Sequence, residues 1–143
     1  MSSDSDNRLR SSNLEGLQRI LDGIYAIRRG LEDLCQALKD IRCGMEYEAE
    51  KNLVNGIHQI KEGLRDIEKG LRELRGALDR EDKKKIKEGI RSICEGLQDL
   101  CCVLKEICGG NLCEAQKKLE DAIRDIEKGL CLIEKGLDDI YCC

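Results

Sequence analysis

GIRSICEGLQDLCCVLKEICGG, residues 89–110, decides how this chain folds. Gly89, Gly96 and Gly110 share one place in a seven-residue period. Ile90, Leu97 and Leu104 share the next, and Ile93, Leu100 and Ile107 a third, three places further on. Sustained seven-residue apolar spacing is the signature of helices that pack with left-handed supercoiling. Yet glycine is the poorest ordinary residue for a helix interior, and here it recurs as regularly as the leucines.

The pattern extends over the whole chain. Cut every 33 residues from Leu14, the sequence falls into segments 14–46, 47–79, 80–112 and 113–143, which align without a gap. Gly23, Gly56, Gly89 and Ala122 form one column, Ile27, Ile60, Ile93 and Ile126 another, and Gly30, Gly63, Gly96 and Gly129 a third. Segments one and three share GLEDLCQALKDI and GLQDLCCVLKEI, whereas two and four share EA near the start and IEKGL later. The unit of duplication is therefore a helical hairpin of about 66 residues, itself an older doubling. Ankyrin repeats have the same length but break in mid-repeat, and each segment here holds one unbroken helical pattern.

In coiled-coil lettering, glycine or alanine sits at g, Leu or Ile at a, and Ile or Leu at d. The phase jumps by five from Gly44 to Ala49, Ala77 to Asp82 and Gly110 to Ala115, so turns belong there. Local chemistry agrees: Gly44 and Gly109-Gly110 suit helix C-termini, and Asp79 and Asp82 are cap candidates. Ser12-x-x-Glu15 and Asn111-x-x-Glu114 have the capping-box pattern. With links this short, successive helices run antiparallel. The expectation is an all-α, up-down-up-down four-helix bundle over residues 14–143, behind a disordered tail at 1–13.

Twelve of the 14 glycines fall in the g column, which defines their purpose. Each helix-interior glycine costs roughly 0.5–1 kcal/mol relative to alanine. Held throughout the repeats, that cost implies a compensating close approach of backbones. Gly16, Gly23, Gly30, Gly56, Gly63, Gly70, Gly89, Gly96, Gly129 and Gly136 are the expected helix-packing positions.

Composition excludes several classes of function. Charged residues make up 38% of the 143, the net charge is −4, and Pro, Trp and Phe are absent. A nucleic-acid surface would need a basic face with stacking aromatics, and the sequence reads as having neither; Lys83, Lys84 and Lys85 follow Glu81 and Asp82 and read as a solvated helix start. No stretch approaches the roughly 20 apolar residues of a membrane span. MSSDSDNRLRSSN has no apolar core of the kind a secretory signal carries. These features point to a cytoplasmic or intracellular protein that binds neither nucleic acid nor membrane. No nucleophile–base pair, Glu-x-x-His or phosphate-cradling loop is present, His58 falls on an outer b position, and the expectation is a non-enzyme without a cofactor.

The ten cysteines carry the open question. Cys35, Cys94, Cys101, Cys108 and Cys113 occupy e, Cys43, Cys102 and Cys142 occupy f, Cys131 occupies b and Cys143 g. As half-buried hydrophobes, the e-column thiols would need no further role. Alternatively, Cys102, Cys131, Cys142 and Cys143 form a thiol-bearing surface through which the bundle cross-links or associates with copies of itself. A third reading is a soft-metal site for Cu(I) or Zn, with Cys35, Cys101, Cys108 and Cys113 as candidate ligands. Thiols seven apart on one helix are too far apart to share an ion, so such a site would have to form between helices. The favoured expectation is a non-enzymatic structural or interaction protein that self-associates through its thiols.

Overall fold

The computed structural model describes the backbone of residues 3–74, 76 and 78–141, with side chains from 13 to 138. Four helices account for nearly all of it: α1 (Ser3–Arg42), α2 (Glu46–Glu73), α3 (Arg80–Cys108) and α4 (Leu112–Tyr141). There is no strand among the described residues. Helical backbone thus begins inside the stretch read as a tail. Ser12 accordingly lies within α1 rather than capping it, because a capping residue must itself be non-helical.

The phase jumps coincide with the turns. After α1, Gly44 takes φ 74°, the Met45 N–H donates to the Asp40 carbonyl at 2.8 Å and the Gly44 N–H to Ile41 at 3.0 Å. Sixty-six residues later Gly110 takes φ 80°, with Asn111 donating to Glu106 at 2.8 Å and Gly110 to Ile107 at 3.0 Å. Both are Schellman closures, which need a residue that tolerates positive φ. The middle link is longer. It ends at Asp79, whose carboxylate accepts from the Asp82 N–H at 2.8 Å and caps α3.

Around the bundle α1 neighbours α2 and α4, and α3 neighbours α4 and α2, with no close backbone approach across either diagonal among the described residues. The pairs α1·α2 and α3·α4 pack far more closely than the other two. The molecule is two tight hairpins laid against each other.

Burial follows the heptad with one refinement. The d column (Ile20, Ile27, Ile60, Ile67, Ile93, Leu100, Ile126, Ile133 and others) is at most 4% exposed where described and forms the centre of the core. The a column is less deeply set: Ile24, Ile57, Leu97 and Leu130 keep a sliver of surface, and Leu17, Leu31, Leu71 and Ile90 are only partly buried. Within the helices the hidden columns are therefore d and g, with a closing the space between hairpins.

Candidate functional site

The glycine column meets its mirror image inside each hairpin. A methyl group built on Gly63 would lie 2.5 Å from the Gly23 carbonyl oxygen, and one built on Gly23 would strike the Gly63 carbonyl. Gly16 faces Gly70 in the same way, and Gly30 faces Gly56, where each methyl would sit 2.9 Å from the other's oxygen. In the second hairpin Gly89 faces Gly129, each methyl 2.5 Å from the opposing carbonyl, while Gly96 faces Ala122 and Gly136 faces Asp82. Every facing pair in α3·α4 is its α1·α2 counterpart moved by 66 residues. All ten helix-interior glycines lie on these seams, with an Ile or Leu d side chain lying over each of nine, Gly23 and Gly63 included, and Glu73 beside Gly16.

The fit is closest in the middle of each seam. At Gly96 the opposing oxygen is 3.1 Å away, against 2.5 Å one heptad further from the turn at Gly89. Nearer the turns the g column becomes Ala37 and Ala49, and Val103 and Ala115, all 0% exposed. The helices diverge slightly towards the connection, and larger small residues fill the gap. Such contact of backbone on backbone allows Cα–H···O interactions as a minor addition to packing.

Polar ladders run along the outer edge of each seam. Asn52 donates to Asp40 at 2.7 Å, Gln59 to Asp33 at 2.9 Å, and Arg19 pairs with Glu73 at 2.8 Å. In the second hairpin Lys118 bonds Glu106 at 3.0 Å, which draws the Glu106 carboxyl below its usual range and raises the Lys118 ammonium. One heptad on, Asp99 is held above the usual carboxylate range by burial and then by Asp125 across the seam.

The two grooves between hairpins differ in chemistry. Along α1/α4, Arg28 pairs with Glu134, and Arg42 pairs with Glu120 at 3.1 Å. Between them Cys35 lies near Glu127; burial, and then that carboxylate, raises its thiol above the ordinary value. The groove here holds 490 Å³, is open to solvent and includes Cys131 in its wall. Along α2/α3 the position equivalent to Arg28 is Cys94, and its neighbour is Glu68, the counterpart of Glu134. Burial followed by Glu68 and Glu95 pushes the Cys94 thiol up as well.

This geometry locates the candidate residues. Cys35 lies towards α4 and Cys94 towards α2, while Cys101 and Cys108 follow Cys94 along α3 and Cys113 stands at the start of α4. Among the described residues no group of three or more His, Cys, Asp or Glu side chains could hold a metal ion. The e-column thiols Cys35, Cys94, Cys101, Cys108 and Cys113 are exposed and free, as are Cys43, Cys102 and Cys131 at f and b. An e position in a wide groove is wetter than one in a tight coiled coil. Cys142 and Cys143 lie outside the described residues. His58 is at the surface, paired with Glu62 at 3.1 Å. Sequence reasoning missed the acidic neighbours Glu127 and Glu68, although the 66-residue offset linking Cys94 to Arg28 was available as a signal.

Comparison with known proteins adds one match. A family model, SctB-like, described as "Secreted protein B-like", matches residues 28–134, which is more than half of the chain. The chain belongs to the SctB-like family. The match opens in α1, takes in all of α2 and α3 with both Schellman turns, and closes in α4, so the SctB-like region is the paired-hairpin body itself. This overturns the cytoplasmic or intracellular expectation, since the SctB-like description is of a secreted protein. That expectation rested on the N-terminal composition and on the lack of a long apolar stretch. No described helix is long and apolar enough to cross a membrane. Neither the curated proteins nor the solved structures contain a match to the chain.

Proposed function

We propose that this SctB-like protein is a secreted, non-enzymatic structural element: a stiff four-helix body that joins to copies of itself through its surface thiols. The observation that carries this reading is the set of eight free, exposed cysteines on a scaffold whose seams leave no internal room. In a reducing cytoplasm such thiols would stay apart, whereas outside the cell thiols are driven towards disulfides. Two thiols of neighbouring copies form one S–S bond, releasing two protons and passing two electrons to an oxidant such as dioxygen or another disulfide. Cys101 and Cys102 sit side by side on α3, and Cys131 borders the α1/α4 groove, so contacts could form in more than one direction.

The test is thiol state and native mass measured on the same purified sample, before and after mild oxidation. Multimers that collapse on adding reductant, and that diminish in a Cys101→Ser/Cys102→Ser/Cys131→Ser variant, are the expected outcome. A protein that stays monomeric and fully thiol-titratable after oxidation overturns it.

A further inference from the structure

The first half of α3 carries a row of bases that the architecture does not require. Arg80, Lys83, Lys84, Lys87 and Arg91, with Glu88 among them, line a single trough of 640 Å³ along one helix. Arg80, Lys84, Lys87 and Arg91 are exposed, and no ion pair is formed by any of the five bases among the described residues.

Two physical costs attach to this arrangement. Arg80–Lys84, Lys83–Lys87 and Lys87–Arg91 are like-charge pairs four residues apart, which weaken a helix. Arg80 and Lys83 also stand in the first turn of α3, where the helix dipole disfavours cations.

Comparison of the repeats shows that the costs are not imposed by the fold. At the place of Arg80 the other segments carry Leu14, Tyr47 and Cys113; at Lys83, Leu17, Glu50 and Gln116; at Lys87, Leu21, Val54 and Glu120. A base occupies none of these nine equivalent positions, yet all four helices form. At Lys84 and Arg91 bases do recur in other segments, as Lys51, Lys117 and Arg124, so what is particular to α3 is the addition of Arg80, Lys83 and Lys87 that completes the row.

We infer that the Arg80–Arg91 row is a docking surface for a linear acidic polysaccharide, one bearing carboxylate or sulfate groups on successive sugar units. Side chains three and four residues apart stand about 5–6 Å from one another, in a single file. That spacing is of the order of the repeat of an extended sugar chain, and single-file charge suits a linear partner better than a flat one. A membrane surface would call for apolar side chains entering beside the bases, but the exposed large apolar residues Leu14, Tyr25, Met45, Tyr47 and Val54 all lie on α1, α2 and the turn between them. Nucleic acid would favour stacking aromatics, and the trough contains none. The inference does not rest on thiol-mediated assembly, because α3 presents the row whether or not copies join.

The experiment passes the reduced full chain over dextran sulfate and alginate resins in a salt gradient. Retention at low salt that is lost as salt rises is expected, since exposed charges are screened. Arg80→Gln/Lys84→Gln/Lys87→Gln/Arg91→Gln should weaken binding about tenfold or more. A control variant, Lys61→Gln/Lys69→Gln/Lys128→Gln/Lys135→Gln, changes net charge equally and should bind like the parent. Unchanged helicity of both by circular dichroism separates loss of binding from loss of fold. Flow-through at low salt, equal binding by the Arg80–Arg91 variant, or equal loss in the control would overturn the inference. So would tighter binding to anionic phospholipid vesicles or to double-stranded DNA than to either polysaccharide.

Discussion

The seams within the hairpins and the grooves between them bury the same kinds of residue by different physics. In α1/α2 and α3/α4, glycine backbones rest against opposing carbonyls, and nothing soft lies between them. In α1/α4 and α2/α3, the a-column side chains and long ion-pairing residues span the gap. A backbone contact cannot rotate out of the way, whereas a side chain can change rotamer. The seams are therefore brittle and the grooves forgiving.

The largest expected effect is at the seam. Gly63→Leu should destabilise the protein by about 3 kcal/mol or more, because the new side chain must displace either the Gly23 carbonyl or Ile27. Chemical denaturation of the folded chain would measure it; unchanged or higher stability would mean the hairpin helices are not in contact there. Gly63→Ala sharpens the same point through its sign. At an ordinary exposed helix site glycine to alanine gains up to about 1 kcal/mol, and here it should lose stability. Gly109→Ala provides the contrast, since its methyl would meet nothing closer than 3.4 Å, and should be near neutral.

In the groove, effects shrink. Leu31→Ala removes a partly buried side chain and should cost less than the roughly 2–5 kcal/mol of a fully buried leucine. A double-mutant cycle on Arg28 and Glu134 should return a coupling of no more than about 1 kcal/mol, because both side chains are half exposed. A larger coupling would show that the groove depends on its ion pairs after all.

The smallest effect is kinetic. Raised thiol pKa values leave less thiolate at a given pH, so Cys35 and Cys94 should alkylate more slowly than a free cysteine at neutral pH. Their rates should still be climbing at a pH where an ordinary thiol has levelled off. Mass-spectrometric alkylation across a pH series would show whether burial and the neighbouring carboxylates act in this direction.

Much of this was legible before any coordinates. The shift of heptad phase marked all three turns, and Asp79 announced its cap. Capping patterns were weaker guides: Ser12-x-x-Glu15 has the right residues, yet α1 runs through it. The cysteines were harder still, because the letter e says only that a residue borders the core. Whether that border is tight or wet depends on how far apart the neighbouring helices stand. The secreted character was legible neither from composition nor from spacing, and came from the SctB-like match.

The 33-residue period and the glycine heptads by themselves determine four amphipathic helices, their ends and the column where backbones can touch. They also contain an unread restriction: one glycine column per helix permits only one near-contact partner. Which partner that is, and hence the division into two hairpins with Cys35 towards α4 and Cys94 towards α2, was settled in three dimensions. The tight Schellman turns at Gly44 and Gly110 set α1 against α2 and α3 against α4, leaving the longer middle link to bridge a gap that side chains fill.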